Sequence, residues 1–153
     1  MGIRLSEDEA WAELEQAHTG IHTTLKRDGW PVSLPTWFVV LDRRIYLRTP
    51  TRTKKVARLR RDPRGSFLVE QGERWTELRA VMVPVVASEV EPGEEHDRVA
   101  AAMSEKYRAY RAPLEQAPEA TKRAYSGTTL LRLEPAGPPL TWDNARIRLK
   151  AHS

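Results

Sequence analysis

Side chains able to hold an anion are concentrated in one stretch of this chain. From Arg43 to Arg64 there are ten Lys or Arg residues and one acid, Asp62, a local charge of +9 in a chain of net charge +4. The remaining residues therefore sum to −5, and one patch carries the whole excess. Within it, Arg48 and Thr49 close a run of strand-forming residues, and Thr53, Lys54 and Lys55 open a helical one. The first turn of a helix offers unpaired backbone N–H groups and the positive end of the helix dipole. Two lysines there are unfavourable by roughly 0.3 to 1 kcal/mol each unless an anion offsets them. Hydroxyls, N–H groups and ammonium groups converging at a strand-to-helix junction suit a phosphate. Arg58, Arg60 and Arg61 lie toward the helix C-terminus, complement the dipole there, and read as a solvated basic face.

Other chemistries have little to stand on. Without cysteine there are no disulfides, thiol nucleophiles or thiolate metal sites. His18, His22, His96 and His152 fall in different elements and show no metal-ligand spacing. Neither a glycine-rich phosphate loop nor a GxSxG turn is present. The pI near 9.6 raises nucleic acid as a partner, but a single basic junction without interleaved exposed aromatics argues against it. Lack of acid/base residues suits hydride transfer, in which a cofactor carries the chemistry, and equally suits a protein that only binds.

The elements that must position these residues follow from periodicity. A chain of 153 residues, 40% hydrophobic and 30% charged, is the size of one globular domain, 1–153. It shows no apolar run long enough for a membrane span and no signal-peptide pattern, so a cytoplasmic protein without membrane contact is expected. Ser6 with Glu9 predicts a helix start, and Ala10, Trp11, Leu14 and Ala17 give it a buried stripe over about 6–17. Residues 22–49 read as a meander of strand, turn, strand, turn, strand, with turns at Asp28-Gly29 and Asp42-Arg43. A helix from Lys54 to Arg61, capped by Thr53, buries Val56 and Leu59.

Two further strand runs follow, with Gln71-Gly72 as a turn, and Pro84 in the second predicts an edge or bulge. A second long helix over 92–111 aligns Val99, Met103, Tyr107 and Tyr110 on one side. The segment after Pro113 reads as loop or broken helix. A last strand covers "TTLLRLEP", and 136–153 reads as a tail containing Trp142. Strands dominate and helices sit at connections, which predicts a mainly β, α+β class.

The stretch "GIHTTLKRDGWPVSLPTWFVVLDRRIYLRTPTRTKKVARLRRDPRGSFLVE" resembles the pyridoxamine 5'-phosphate oxidase-like, FMN-binding split β-barrel superfamily, and within it the flavin/deazaflavin oxidoreductases of actinobacteria. "LTWD" at 140–143 is similar to a Trp-Asp motif near the C-terminus of many members. The resemblance implies a six-stranded antiparallel split barrel over about 20–135 with peripheral helices, forming a homodimer with two cofactor sites at the subunit interface. It implies that Arg48 and Thr49 meet the cofactor's phosphate and ribityl part, and that Thr53, Lys54 and Lys55 bind the phosphate. Leu34, Pro35, Thr36 and Trp37 would run beside the tricyclic ring, and Trp142 and Arg146 would complete the pocket from the partner subunit.

FMN and the deazaflavin coenzyme F420 share the tricycle, ribityl chain and first phosphate. F420 adds a tail of carboxylates, to which Arg52, Arg58, Arg60 and Arg61 would offer attraction. The expectation is an F420-dependent oxidoreductase acting on a small conjugated or heterocyclic acceptor. The alternatives are FMN in the same role, and a flavin- or F420-binding protein without turnover.

Overall fold

The computed structural model describes residues 2–124 and 126–147. Ser6 opens α1 (Glu7–Gln16), its hydroxyl accepting from Glu9 N–H at 3.2 Å, and Ala10, Trp11 and Leu14 turn inward. β1 (Gly20–Leu25) and β2 (Pro31–Thr36) form an antiparallel hairpin, in whose turn Gly29 takes φ 88°. β3 (Val39–Leu41) and β4 (Arg44–Pro50) form a second hairpin. Its two turn residues, Asp42 and Arg43, take φ of 52° and 55°, the left-handed pair that matches strand twist in a two-residue turn. Then come α2 (Lys54–Arg61), β5 (Arg64–Gln71), β6 (Arg79–Glu89), α3 (Glu94–Tyr107), α4 (Glu119–Ala124), β7 (Thr128–Pro135) and β8 (Leu140–Asp143).

The expected meander is corrected at its middle strand. Residues 31–41 form two strands, not one, broken at Trp37-Phe38, and the two hairpins lie at opposite ends of the sheet, whose order is β2-β1-β5-β6-β7-β4-β3. That order closes the barrel. Laid flat, seven strands at about 4.8 Å spacing would separate the end strands by roughly 29 Å. The three residue steps from Thr36 to Val39 reach at most about 11 Å. The sheet must therefore curl until β2 and β3 approach, and because they do not pair, the barrel is split there.

Among the described residues the strands number eight rather than six, since the broken run supplies two and β8 adds one within the expected tail. β8 pairs with Arg79–Met82 of β6, and β7 pairs with Val85–Glu89 of the same strand. Pro84 sits where the partner changes. Its carbonyl accepts from Ala136 N–H at 2.8 Å, so its nitrogen faces the same junction, where the ladder is already interrupted.

Alternation along β4 divides the core. Ile45 and Leu47 point into the barrel with Phe38, Phe67, Val83 and Leu133, while Tyr46 faces outward to Val99, Met103 and Tyr107 of α3. Tyr110 departs from the expected stripe: the chain tightens to a 3-10 turn at Arg108–Tyr110, and its ring is 61% exposed. The undecided segment resolves into a 3-10 turn at Leu114–Gln116 and the short α4. Among the described residues no helix is long and apolar enough to cross a membrane.

The end of α3 fastens the crossover. Tyr107 Oη accepts from Phe38 N–H at 2.8 Å and lies 2.7 and 2.8 Å from the carbonyls of His18 and Phe38, one of which takes its proton. Lys106 Nζ donates to Ala17 O and Phe38 O at 2.7 and 2.9 Å. Tyr107→Phe keeps the ring but leaves the buried Phe38 N–H unpaired, so it should lower unfolding free energy by about 1–3 kcal/mol in urea melts. An unchanged midpoint and slope would show that the hydroxyl does not hold the crossover.

Candidate anion and cofactor site

The start of α2 is built as the residue types require. Thr53 has extended backbone (φ −90°, ψ 158°), and its Oγ1 accepts from Val56 N–H at 3.4 Å. Thr49 Oγ1, from the inward-facing side of β4, lies 3.5 Å from Thr53 Oγ1. Val56 and Leu59 bury the other side of the helix. The strand-to-helix junction thus gathers Thr49, Thr53, Lys54 and Lys55.

Hydrogen bonds sort the basic residues into two groups. Arg58 Nε donates to Thr24 Oγ1 at 2.8 Å, Arg61 Nη2 to Leu25 O at 2.7 Å, and Arg60 binds Glu89 with Nε and Nη2 at 3.0 and 2.6 Å. Arg64 pairs with Asp62 at 2.9 Å. These arginines fasten α2 and its end to the barrel and are not free for a ligand. Arg58, Arg60 and Arg61 are three of the four invoked for a carboxylate tail. Arg48, Arg52, Lys54 and Lys55 belong to no ion pair among the described residues. Lys55 is only 9% exposed. Burial first, then the neighbouring charge of Arg58, pushes its ammonium pKa down. A buried cation lacking a counter-ion is an unfavourable arrangement that a bound anion relieves.

Beneath Lys55 lies a residue without a sequence signal. His22 shares the inward face of β1 with Thr24 and is 1% exposed. Neither ring nitrogen has a hydrogen-bond partner among the described residues. Burial, then the charges of Lys55 and Arg58, lowers its pKa to about 3, so the ring stays neutral. Only the packing of α2 on β1 brings His22 and Lys55 together, and neither segment read alone predicts it.

The remaining candidates divide by location. Leu34, Pro35 and Thr36 lie on β2, the end strand hydrogen-bonded to β1, and Leu34 is 46% exposed. Trp37 stacks on Tyr107 at 4.3 Å and 4° and, with Arg48 and Thr49, lines a cleft of about 450 Å³. Trp142 and Arg146 are elsewhere. Trp142 pairs with Ala80 at the start of β6, whereas α2 is tied to Glu89 at its end, roughly 30 Å away at about 3.3 Å per residue. Arg146 Nη1 donates to Arg4 O at 2.9 Å, and the guanidinium pairs with Glu9 and Asp143. Neither residue reaches the α2 junction of its own chain. A second cavity, of about 490 Å³, lies beside Arg4, Pro138 and Leu140 at that far end, away from the unpaired cations.

Among the described residues no group of three His, Cys, Asp or Glu could hold a metal. His18 packs edge-on against Trp37, Tyr107 and Tyr110, and His152 lies outside the described residues.

The His22 environment sets a pH dependence. Because its pKa falls from 6.5 to about 3 on folding, the unfolded chain binds more protons between these values, and stability declines as pH falls below about 6.5. Glu95 and Asp62, each held at about 2 chiefly by hydrogen bonds from Arg132 and Arg64, lose their contributions only below their ordinary values of 4.5 and 3.8. Between pH 6.5 and 4.5 the unfolding free energy should therefore slope by at most about 1.4 kcal/mol per pH unit. His22→Leu, which retains the buried volume, should flatten that slope. Equal slopes in the two proteins would mean that His22 titrates normally.

Comparison with known proteins gives this arrangement a context. Residues 6–137 match the family model described as pyridoxamine 5'-phosphate oxidase. No curated protein matches the chain. A conserved hypothetical protein of Mycobacterium tuberculosis is 30% identical, with a TM-score of 0.80 over 99% of this chain and 93% of its own. The FAD binding protein of Mycobacterium smegmatis is 23% identical, with a TM-score of 0.61 over 91% and 98% of the two chains. The haem storage protein of Vibrio cholerae is 20% identical, with a TM-score of 0.68 over 89% and 94%. At those identities the last two establish a shared fold alone. Since the family model spans most of the chain, the chain belongs to the pyridoxamine 5'-phosphate oxidase family of the FMN-binding split-barrel superfamily.

Proposed function

We propose that this chain is a cytoplasmic, homodimeric oxidoreductase that holds the deazaflavin coenzyme F420 by its phosphate at the start of α2 and reduces a small conjugated or heterocyclic acceptor. The observation that carries this is the pair Lys54 and Lys55 at a Thr-capped helix start, Lys55 being buried and unpaired. Phosphate there would accept from the free N–H groups, the ammonium groups and the hydroxyls of Thr49 and Thr53. When bound, the reduced cofactor supplies a hydride to an electrophilic carbon of the acceptor, and a proton from water completes the reduction. The protein's part is to fix two planes. The exposed segment Leu34–Thr36 would supply backbone groups beside the cofactor's ring, and Trp37, stacked on Tyr107, presents its remaining face as a rigid wall to the acceptor.

Support for F420 over FMN now rests on fewer cations than the sequence offers. With Arg58, Arg60 and Arg61 engaged, Arg48 and Arg52 remain for a carboxylate tail beyond what the phosphate uses. FMN is the second reading, favoured by the family itself and by the FAD-binding relative. The homodimer is supported by the distance of Trp142 and Arg146 from their own α2 junction. It is also supported by the exposed edge of β2, where Trp30 is 70% and Leu34 46% exposed.

Fluorescence titration with F420, FMN and, as a comparison, haem tests the assignment. Micromolar or tighter F420 binding with weak FMN binding is expected; the reverse preference makes FMN the cofactor, and binding of neither removes the proposal. Lys55→Ala should weaken the preferred cofactor by about 1.5–3 kcal/mol, the worth of a charge-assisted hydrogen bond. Arg60→Ala, which loses only its Glu89 pair, should change affinity by far less. Trp142→Ala should weaken cofactor binding in the dimer, and an unchanged dissociation constant would separate β8 from the pocket.

A further inference from the structure

The cleft beside Trp37 has a chemical bias of its own. It opens between the end of β4, the start of β7 and the turn that follows α3, with a volume of about 450 Å³, the size of a small-molecule site. Its apolar lining is Trp37, Pro50, Met103 and Ala112. Trp37 is held flat by the stacked Tyr107, whose hydroxyl is fixed to the Phe38 backbone. Two arginines, Arg48 and Arg111, line this apolar space, and among the described residues no acid lines it. Three acids of the flanking elements are paired elsewhere: Glu105 with Arg108, Glu95 with Arg132 and Tyr46, and Glu89 with Arg60. Arg111 comes from a segment that the α2 junction does not use, so the two arginines reach the cleft from separate elements, the turn after α3 and the end of β4.

A rigid aromatic face selects a planar partner, and unpaired guanidinium groups at the rim select a carboxylate, which they can bind in bidentate fashion. We infer that this cleft takes the acceptor, that the acceptor is a planar conjugated carboxylate, and that Arg111 selects its charge. Its role as an acceptor site rests on the oxidoreductase reading above. Carboxylate binding itself does not, because every group named belongs to this chain. Arg48, next to Thr49 and the phosphate junction, would sit between acceptor and cofactor, whereas Arg111 would touch the acceptor alone.

The test uses 2-naphthoate and its uncharged analogue 2-naphthamide as probes of matched shape, titrated calorimetrically into the full-length protein. In parallel, F420 and FMN are titrated into the same preparations. The wild type should bind naphthoate roughly ten-fold or more tighter than naphthamide, with the difference shrinking as salt is raised. Arg111→Gln, a change at an exposed position, should abolish the preference and leave the cofactor dissociation constant unchanged; Arg111→Lys should restore part of it. Equal binding of the two probes by the wild type, or an unaltered preference in Arg111→Gln, would overturn the inference. A parallel loss of cofactor affinity in Arg111→Gln would overturn it differently, by giving the cleft to the cofactor. Should the wild type bind neither F420 nor FMN yet keep an Arg111-dependent preference for naphthoate, the cofactor reading fails and the carboxylate site stands.

Discussion

The two-residue crossover at Trp37-Phe38 is the constraint from which the rest of the barrel follows. It joins the two end strands of a seven-strand path and leaves the sheet no option but to curl. Backbone groups at such a break lack strand partners, and here α3 supplies them: Tyr107 Oη and Lys106 Nζ satisfy Phe38 while also binding the carbonyls of His18 and Ala17. One helix end therefore ties together the crossover and the α1–β1 connection. The same contact fixes the Trp37 ring against Tyr107, so closing the barrel and building a pocket wall are one event.

Charge is partitioned with similar economy. A segment that looks uniformly basic contains arginines with structural partners and cations with none. Arg58, Arg60 and Arg61 project from the later turns of α2 onto β1 and the end of β6, where a hydroxyl, a carboxylate and a carbonyl receive them. Lys54 and Lys55 precede them on the first turn, where the helix's own N–H groups are unpaired. The neutral ring of His22 underneath adds no third charge to that corner. Fixing the helix with arginine and leaving lysine unmatched at its start concentrates unpaired positive charge on a rigidly held first turn.

Local pattern carried a large share of this structure. The α2 bounds, its Thr53 cap and its Val56 and Leu59 face follow from residues within one or two turns of each other, as does the Ser6-capped start of α1. The Asp42-Arg43 hairpin follows from its turn chemistry. The middle strand did not yield to the same method, because an extended run of β-formers looks alike whether it stays in one ladder or leaves it halfway. β8 was hidden for a related reason: four residues after a pair of prolines are too few to show a periodicity, and only pairing with β6 makes them a strand.

The sequence by itself determined the mainly β class, both long helices, the family resemblance and the concentration of positive charge at one strand-to-helix junction. These are encoded by neighbours in the chain, through capping, alternation and turn preference. Only the tertiary structure decided which cations are free, that His22 lies under Lys55, that Arg111 and Arg48 line one cleft, and that Trp142 and Arg146 lie at the far end of the barrel from their own α2. Each of those is a contact, or a separation, between residues distant in sequence. It depends on the curl of the sheet and the seating of α2 and α3 upon it, which no local window contains.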